Sequence, residues 1–187
     1  MQKSKAKKLN NQQPTTNNQQ PTMRSFTLRK ARLEDFEEIY SIFTHILEEG
    51  ETYSYTLSEM TPERSLAYWI SAPGTQCFVA DVEGKVAAVC ALRPNRTGRG
   101  GHVANASFIV HPDYRRQGIA RAMGEHVLKQ AKKSGYDAIQ YNFVVSVNTV
   151  AVNLWKSLGF KVIGTMPKGF KHARKGLVDV LIMHQFL

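Results

Sequence analysis

Hydrophobic and polar positions from residue 26 onward repeat with two periods, one typical of helices and one typical of strands. Apolar residues recur every three or four positions from Leu33 to Leu47, which predicts the first helix. Thr61 and Pro62 predict the start of a second helix, because threonine caps helix N-termini and proline fits the first helical position. Short apolar runs predict seven strands, at residues 26–30, 76–81, 85–92, 103–110, 138–145, 161–165 and 177–186.

Two further helices complete the pattern. The third follows the strand at 103–110 and ends at Gly135, and the fourth lies between Asn148, an N-cap residue, and Gly159. The predicted order is β-α-α-β-β-β-α-β-α-β-β. Helices that are interspersed among strands in this way predict an α/β fold with a mixed sheet.

The segment from His111 to Arg121 carries the clearest candidate chemistry. It joins the fourth strand to the third helix, and we expect its Arg, Gln and Gly residues to lie in the first turn of that helix. A helix N-terminus attracts anions through its unpaired N–H groups and the positive end of its dipole. Gly118 lets a ligand approach the backbone, and Arg115, Arg116 and Arg121 add positive charge. The segment predicts a phosphate site, or else a basic loop that caps an ordinary helix.

The spacing of this segment excludes two common phosphate motifs and matches a third. It is neither G-x-G-x-x-G nor G-x-x-x-x-G-K-[ST], so the dinucleotide and P-loop interpretations lack their residues. Arg115-x-x-Gly118-x-Ala120 resembles the R/Q-x-x-G-x-G/A pyrophosphate loop of the GNAT (GCN5-related) N-acetyltransferases.

A second motif of the same family follows the fifth strand, where N-x-x-A-x-x-L-Y-x-x-x-G-F is matched except at its tyrosine. Trp155 replaces that tyrosine, and the matching residues are Asn148, Ala151, Leu154, Gly159 and Phe160. Two motifs in the family's order argue against coincidence. The resemblance extends over roughly residues 26–187.

The resemblance implies a fold in which the fourth and fifth strands splay apart and hold the pantetheine arm of acetyl-CoA between them. Backbone groups of Phe108 and Val110 would then meet the acetyl and pantetheine region. Asn148 would bind the pantetheine arm, or act only as a helix N-cap. The pyrophosphate would be bound by Arg115, Arg116, Gln117, Gly118, Ile119, Ala120 and Arg121.

Two proton-handling groups of the family are missing. Trp155 stands where many members carry a tyrosine that protonates the leaving thiolate, and we expect it to contact the cofactor. Phe143 stands where some branches carry a glutamate base. Because an indole is a hydrogen-bond donor but no practical proton source, we expect direct transfer by proximity, with water carrying protons. No placed Cys or Ser suggests a covalent intermediate.

Two asparagines lie within the predicted central strands, where this residue is disfavoured and costly to bury unpaired. Asn105 and Asn142 are therefore candidate acceptor-binding residues, or else each bonds a neighbouring loop. With Asn148 and parts of 155–167, they are similar to the GNAT branch that acetylates the proline analogue azetidine-2-carboxylate. In that branch asparagines hold a small amino acid.

The segment 48–55, between the first two helices, contains three carboxylates and two tyrosines. In the family this region lines the acceptor site, so it would position a cationic amine or simply form a solvated loop. Glu51 is the candidate catalytic base, acting through water, and Tyr53 is a candidate substrate contact. His102 and His172 are alternative bases.

Composition sets the limits of the domain. Residues 1–22 are rich in Gln, Asn and Lys and lack aromatic residues, so we expect a disordered extension before one acetyltransferase domain at 23–187. No secretory signal and no apolar stretch of membrane-spanning length is visible. Cys77 and Cys90 lie in apolar runs, as expected of buried thiols in a reducing cytoplasm. The histidines show no metal-ligand spacing, so we expect no metal.

Charge is distributed unevenly along the chain. Residues 1–22 carry +4, residues 23–110 carry −2 and residues 111–187 carry +8, which gives the formal net charge of +10. A positive field around the cofactor motifs would raise the encounter rate with the phosphates of coenzyme A, although a solvated basic surface has the same charge. Nucleic-acid binding is disfavoured because no recognition motif with interleaved aromatics is present.

These observations predict a cytoplasmic, acetyl-CoA-dependent N-acetyltransferase (EC 2.3.1) that acts on a small amine, such as an amino acid or proline analogue. Two alternatives stay open. One is a protein or peptide N-acetyltransferase, which needs an open groove across the sheet edge. The other is a non-catalytic acyl-CoA-binding module, suggested by Trp155. The sequence leaves open the acceptor and the choice between a monomer and a homodimer.

Overall fold

A computed structural model describes residues 25–187, so the predicted disordered extension at 1–22 lies outside the described residues. One seven-stranded sheet has the order β1-β2-β3-β4-β5-β7-β6. Its strands are β1 (Thr27–Lys30), β2 (Gln76–Val82), β3 (Lys85–Pro94), β4 (Val103–Val110), β5 (Ala138–Val145), β6 (Lys161–His172) and β7 (Gly176–Phe186). The α-helices are α1 (Phe36–Glu49), α2 (Pro62–Leu66), α3 (Ile119–Lys133) and α4 (Thr149–Ser157).

The element order and the α/β class with a mixed sheet are confirmed. Within the described chain β4 and β5 pair in parallel, and the other neighbouring strands pair antiparallel. The observed bounds of β4 and β5 are those that the apolar runs predict. Asn148 caps α4 and Gly159 follows its end with φ 100°, also as predicted.

Two boundaries differ by more than two residues from the sequence prediction, and several strand ends differ by one or two. The third helix begins only at Ile119, so the Arg, Gln and Gly residues at 115–118 form a loop before it rather than its first turn. Gly118, the N-cap, has φ 78°, a left-handed conformation from which the helix starts. The sixth strand continues to His172, far beyond the predicted 161–165. The prediction ended early because most residues of this strand are exposed and show no apolar alternation.

The sheet is covered on both faces, and β3 is buried on each of them. Ala88 and Leu92 belong to the core under α3 and α4, while Val89 belongs to the core under α1 and α2. The helices α3 and α4 pack very closely at Gly124, where an added Cβ would lie 2.6 Å from Leu158 Cδ1. This contact fixes α4 beside the N-terminal half of α3.

The predicted splay of β4 and β5 is confirmed. The two strands are paired only at Val103–Ala138 and Ala104–Ile139, and they separate beyond that point. On the other side of β5, the register with β7 shifts between Tyr141 and Val144. The sheet therefore contains an open gap at its centre, directly beside the loop that precedes α3.

Candidate active site

The loop before α3 presents a series of free backbone donors. No hydrogen bond from the N–H groups of residues 117–121 is found within the described residues. Arg116 and Gly118 both have positive φ, 64° and 78°. Tight turns of this kind collect successive N–H groups into a concave anion site. A Cβ added to Gly118 would meet nothing within 4 Å, so the space above this backbone is open.

The three arginines around this site, Arg115 and Arg116 in the loop and Arg121 in the first turn of α3, have different surroundings. Arg115 Nη2 lies 3.0 Å from both carboxylate oxygens of Glu49 at the end of α1. Arg121 donates to the Ser157 hydroxyl on α4 at 2.7 Å. Arg116 has no partner among residues 25–187 and is the arginine most available to an anion. Arg115 therefore ties the loop to α1, and Arg121 ties the start of α3 to α4.

Backbone groups of β4 face the gap at alternate residues. The carbonyl of Val103 and the N–H of His111 both bond towards β3. Strand residues point their N–H and C=O groups alternately to the two sides, and β4 has no register shift against β3. Phe108 and Val110 consequently direct their backbone groups into the gap, where the resemblance had placed them.

Between the splayed strands lies a cavity of about 340 Å³, which we call the strand cleft. Within the described chain its wall includes no Asp, Glu, Lys, Arg or His side chain. The wall consists of apolar, hydroxyl and amide groups from Thr52, Tyr53, Ser54, Tyr55, Tyr68, Asn105, Ala106, Ser107, Phe108, Tyr141, Asn142, Phe143, Val144, Val145, Asn148, Ala151 and Trp155.

Aromatic rings form the wall on the side of α3 and α4. Trp155 lies 4.8 Å from the Phe108 ring and 4.9 Å from the Tyr141 ring, centroid to centroid. Tyr141 also stacks on Phe160 at 4.3 Å. The Tyr141 hydroxyl is buried and has no hydrogen-bond partner in the described protein, and burial raises its pKa well above the ordinary value. This phenol therefore stays protonated, as an unused donor.

On the opposite wall, on the side of α1 and α2, three hydroxyls are already hydrogen-bonded. Tyr53 donates to the Phe108 carbonyl at 3.0 Å, while Tyr68 and Ser107 share a 2.7 Å hydrogen bond. Arg93 lies over the Tyr68 ring at 4.3 Å and donates to Ser107 at 2.8 Å. Burial raises the pKa of both tyrosines, so these phenols are neutral. Tyr53 thus lies at the gap, where the Phe108 carbonyl holds its buried hydroxyl in place.

The three candidate asparagines reach the strand cleft in different states. Asn105 makes no side-chain hydrogen bond within the described protein. Asn142 accepts from Gln140 at 2.8 Å and donates to Asn95, so it bonds a neighbouring loop. Asn148 accepts from the Ala151 N–H at 3.2 Å and acts as the N-cap of α4. Asn105 is consequently the most available of the three.

A second cavity of about 380 Å³ adjoins the strand cleft, and we call it the hairpin cleft because the β6–β7 turn forms one side. The two cavities share Thr52 and Asn148. The hairpin cleft is lined by Glu51, Thr52, Val147, Asn148, Thr149, Val150, His172, Arg174 and Lys175. Unlike the strand cleft, it contains charged side chains.

The β6–β7 turn is tied to the end of α1. The Ala173 N–H donates to the Gly50 carbonyl at 3.0 Å, and Arg174 pairs with Glu51. Glu51, the candidate base, therefore faces the hairpin cleft and is held by an arginine, so water would have to connect it to the strand cleft. Its catalytic role stays a prediction.

The two histidines proposed as alternative bases lie in different places. His172 is buried beside the hairpin cleft, where its Nδ1 accepts from the Arg174 N–H at 3.1 Å. His102 precedes β4 and interacts with the Arg99 carbonyl, and it lines neither cleft. Of these two residues, His172 is the one near the candidate site.

Sequence reasoning missed several residues of the site. Tyr141 has the apolar neighbours of an ordinary core residue, and nothing in the sequence shows that its hydroxyl lacks a partner. Arg93 and Tyr68 are 25 positions apart, and each is 14 or more positions from Ser107. Arg174 lies 123 positions from Glu51, so its place beside that carboxylate could not be foreseen.

Residues 25–187 lack two further features. No three His, Cys, Asp or Glu side chains lie together in a geometry that could hold a metal ion. None of the described helices is both long enough and apolar enough to cross a membrane.

Comparison with known proteins identifies the family. Residues 33–160 match the family model described as the acetyltransferase (GNAT) family. An N-acetyltransferase, aca1, from Schizosaccharomyces pombe is 25% identical over an alignment of 174 residues that covers 82% of this chain and 83% of the relative. An N-alpha-acetyltransferase from Saccharolobus solfataricus is 33% identical over an alignment of 159 residues that covers 79% of this chain and 86% of the relative.

A solved structure agrees with these sequence relatives. A GCN5-related N-acetyltransferase from Kribbella flavida superimposes with a TM-score of 0.83 at 42% identity, covering 87% of this chain and 98% of that chain. The chain therefore belongs to the GNAT family of acetyltransferases, and it is an N-acetyltransferase whose cosubstrate is acetyl-CoA.

Proposed function

We propose that this N-acetyltransferase acts on the amine of a small molecule, such as an amino acid or proline analogue, which enters the strand cleft. The observation that carries this proposal is the tie between the β6–β7 turn and the end of α1. The Gly50–Ala173 hydrogen bond and the Glu51–Arg174 ion pair bridge the two segments that flank the acceptor side. An extended peptide would need an open groove at this point.

The cosubstrate is proposed to enter from the loop before α3. The free N–H groups of residues 117–121, together with Arg116, would bind the pyrophosphate. The gap-facing backbone of Phe108 and Val110 would bind the pantetheine arm and the acetyl group, beside Trp155 and Asn148. Acetyl-CoA supplies the acetyl group as a reactive thioester.

Transfer requires the amine to attack the thioester carbonyl, which forms the C–N bond and breaks the C–S bond. The amine loses a proton and the departing thiolate needs a partner. Tyr141 is proposed to stabilise that thiolate, because its phenol is an unused donor in the cleft wall whereas the Tyr53 and Tyr68 hydroxyls are occupied. With no carboxylate or imidazole lining the described strand cleft, water is proposed to remove the amine's proton.

Direct transfer is favoured over an acetylated enzyme. Burial raises the pKa of the Cys77 thiol to about 12 and holds that of the Cys90 thiol well above its ordinary value, so neither supplies a thiolate. Ser107 reaches the strand cleft, but Tyr68 and Arg93 hold its hydroxyl and no base is beside it.

The experiment that tests this proposal is a thiol-release screen with acetyl-CoA and free amino acids, polyamines, antibiotics and short peptides. We expect turnover with a free small amine and little with peptides. Thiol release that does not rise with any amine would instead support the non-catalytic acyl-CoA-binding alternative.

A second candidate is acetylation of a peptide N-terminus. It is favoured by the similarity to the N-alpha-acetyltransferase of Saccharolobus solfataricus. Competition between a peptide and an amino acid for one limiting pool of enzyme decides between the two, because the better acceptor suppresses acetylation of the other. The cytoplasmic location, the domain boundary at residue 23 and a homodimer stay predictions.

A further inference from the structure

The hairpin cleft concentrates groups that bind anions. Arg174 and Lys175 line it, against the single carboxylate of Glu51. Arg174 pairs with Glu51, while Lys175 has no ion pair within residues 25–187. The described charges of this cleft therefore leave one positive charge without a protein counterion.

Backbone donors reinforce this charge. The N-terminus of α4 borders the same cavity, and the N–H groups of Thr149 and Val150 donate no hydrogen bond within the described chain. Asn148 satisfies only the next donors, through its side chain to Ala151 and its carbonyl to Val152. The residues that line this cavity thus supply two unpaired N–H groups at a helix N-terminus and an ammonium without an ion pair.

The two clefts are arranged so that one molecule can occupy both. They meet at Thr52 and Asn148, and the strand cleft lacks described side chains that are charged near neutral pH. An acceptor with its amine in the strand cleft could therefore place an anionic group against the charged side chains of the hairpin cleft. A cavity of about 380 Å³ accommodates a carboxylate with room to spare.

We infer that the hairpin cleft is the binding site for a carboxylate carried by the acceptor amine. This inference rests on the proposed function and narrows it to amines that bear a nearby carboxylate, such as α-amino acids. Lys175 and the N–H groups of Thr149 and Val150 bind the carboxylate. Arg174 adds positive charge, and Glu51 holds the Arg174 side chain in place. The other source of an anion is a phosphate of coenzyme A, and the experiment separates the two.

The test compares acceptors that differ only in this charge: azetidine-2-carboxylate with its carboxamide, and L-alanine with L-alaninamide. Initial rates of thiol release are measured for the wild-type chain and for Lys175→Gln. We expect Lys175→Gln to lower kcat/KM for both acids about tenfold, as for a lost hydrogen bond to a charged group, and to leave the amides unchanged. The KM for acetyl-CoA should not move.

Two further variants serve as controls. Lys171→Gln removes the same charge from an exposed position on β6 outside the hairpin cleft, and it should alter neither acid nor amide kinetics. Glu51→Gln removes the counterion of Arg174 and should favour the acids over the amides. An equal loss for acids and amides in Glu51→Gln would instead assign this residue to proton transfer and contradict its role here.

Several outcomes would overturn the inference. Equal kcat/KM for acids and amides in the wild-type chain would leave the carboxylate without a site, although the enzyme would still be a small-amine acetyltransferase. A raised KM for acetyl-CoA in Lys175→Gln, with the acid-to-amide ratio unchanged, would assign the cleft to a coenzyme A phosphate. Peptides as the sole acceptors would remove both the inference and the proposed function.

Discussion

The loop that precedes α3 and the two clefts beyond it are built from different parts of the chain. The loop offers consecutive backbone N–H groups, shaped by the positive φ of Arg116 and Gly118. The clefts offer side chains from β4, β5, the α1–α2 segment and the β6–β7 turn. A site made of backbone needs one continuous segment, whereas a site made of side chains collects residues that are far apart in sequence.

This difference explains why acetyl-CoA can be identified as a ligand while the acceptor cannot. Acetyl-CoA is common to the family, and a local backbone device suits a constant phosphate group. The acceptor varies between enzymes, and substitutions of side chains such as Asn105 or Lys175 change a cleft without disturbing the fold. Variants that act on one region and spare the other test this division directly.

The largest effect is expected for Gly118→Glu. The new side chain would extend into the open space above the free amides, where its carboxylate would repel the pyrophosphate, so acetyl-CoA binding should be abolished in calorimetry. Gly84→Glu is the matched control, because Gly84 has a similar φ of 80° and an equally open surrounding on the β2–β3 turn. It carries the same backbone strain and should bind acetyl-CoA normally. Unchanged affinity in a folded Gly118→Glu would refute the assignment of the loop.

Sequence patterns predicted the backbone-built parts of the molecule well. The strands at 103–110 and 138–145 were placed to the residue, because apolar runs bounded by turns specify buried strands. The start of α3 was placed too early, because Arg and Gln are good helix formers and a left-handed Arg116 leaves no mark in a sequence. The part of β6 beyond Thr165 likewise has no apolar period that could reveal it, because Phe170 is its one buried apolar residue.

The side-chain-built parts could be predicted only in outline. Asn142 was expected at the gap, but its partner Asn95 lies 47 positions away and could not be foreseen. Tyr141 has the pattern of a core residue, and its unsatisfied hydroxyl becomes visible only when three neighbouring rings are in place. Long-range contacts of this kind follow from the fold and not from local sequence.

The second-largest effect is expected for Tyr141→Phe. If the phenol stabilises the thiolate, its removal should lower kcat about tenfold or more, the usual cost of a hydrogen bond to a charged group. The melting temperature should stay the same or rise, because the variant removes a buried hydroxyl that has no partner in the described protein. Tyr136→Phe, a half-buried phenol that lines neither cleft, is the control. A Tyr141→Phe enzyme with full kcat would show that the orphan hydroxyl is unrelated to catalysis.

A smaller and divided effect is expected for the strand asparagines. Asn105→Ala should lower kcat/KM for the acceptor up to about tenfold and leave stability nearly unchanged, because this amide bonds no other described residue. Asn142→Ala should instead cost about 1–2 kcal/mol of unfolding free energy, because it leaves Gln140 and Asn95 without their partner. Urea unfolding and acceptor kinetics on both variants measure the two effects. A kinetic loss in Asn142→Ala together with a stability loss in Asn105→Ala would instead make Asn142 the acceptor contact.

The smallest effect on turnover is expected for Trp155→Phe, at the border between the two regions. Trp155 contacts Phe108 and Tyr141, and a phenyl ring keeps most of that packing while losing the indole N–H. Since an indole is no proton source near neutral pH, the single-turnover rate should fall by less than about threefold, with about 1–2 kcal/mol lost in stability. Trp155→Tyr should gain no rate, because the proposed thiolate partner is Tyr141. A collapse of the single-turnover rate in Trp155→Phe, at normal acetyl-CoA affinity, would move the role of thiolate partner from Tyr141 to the indole.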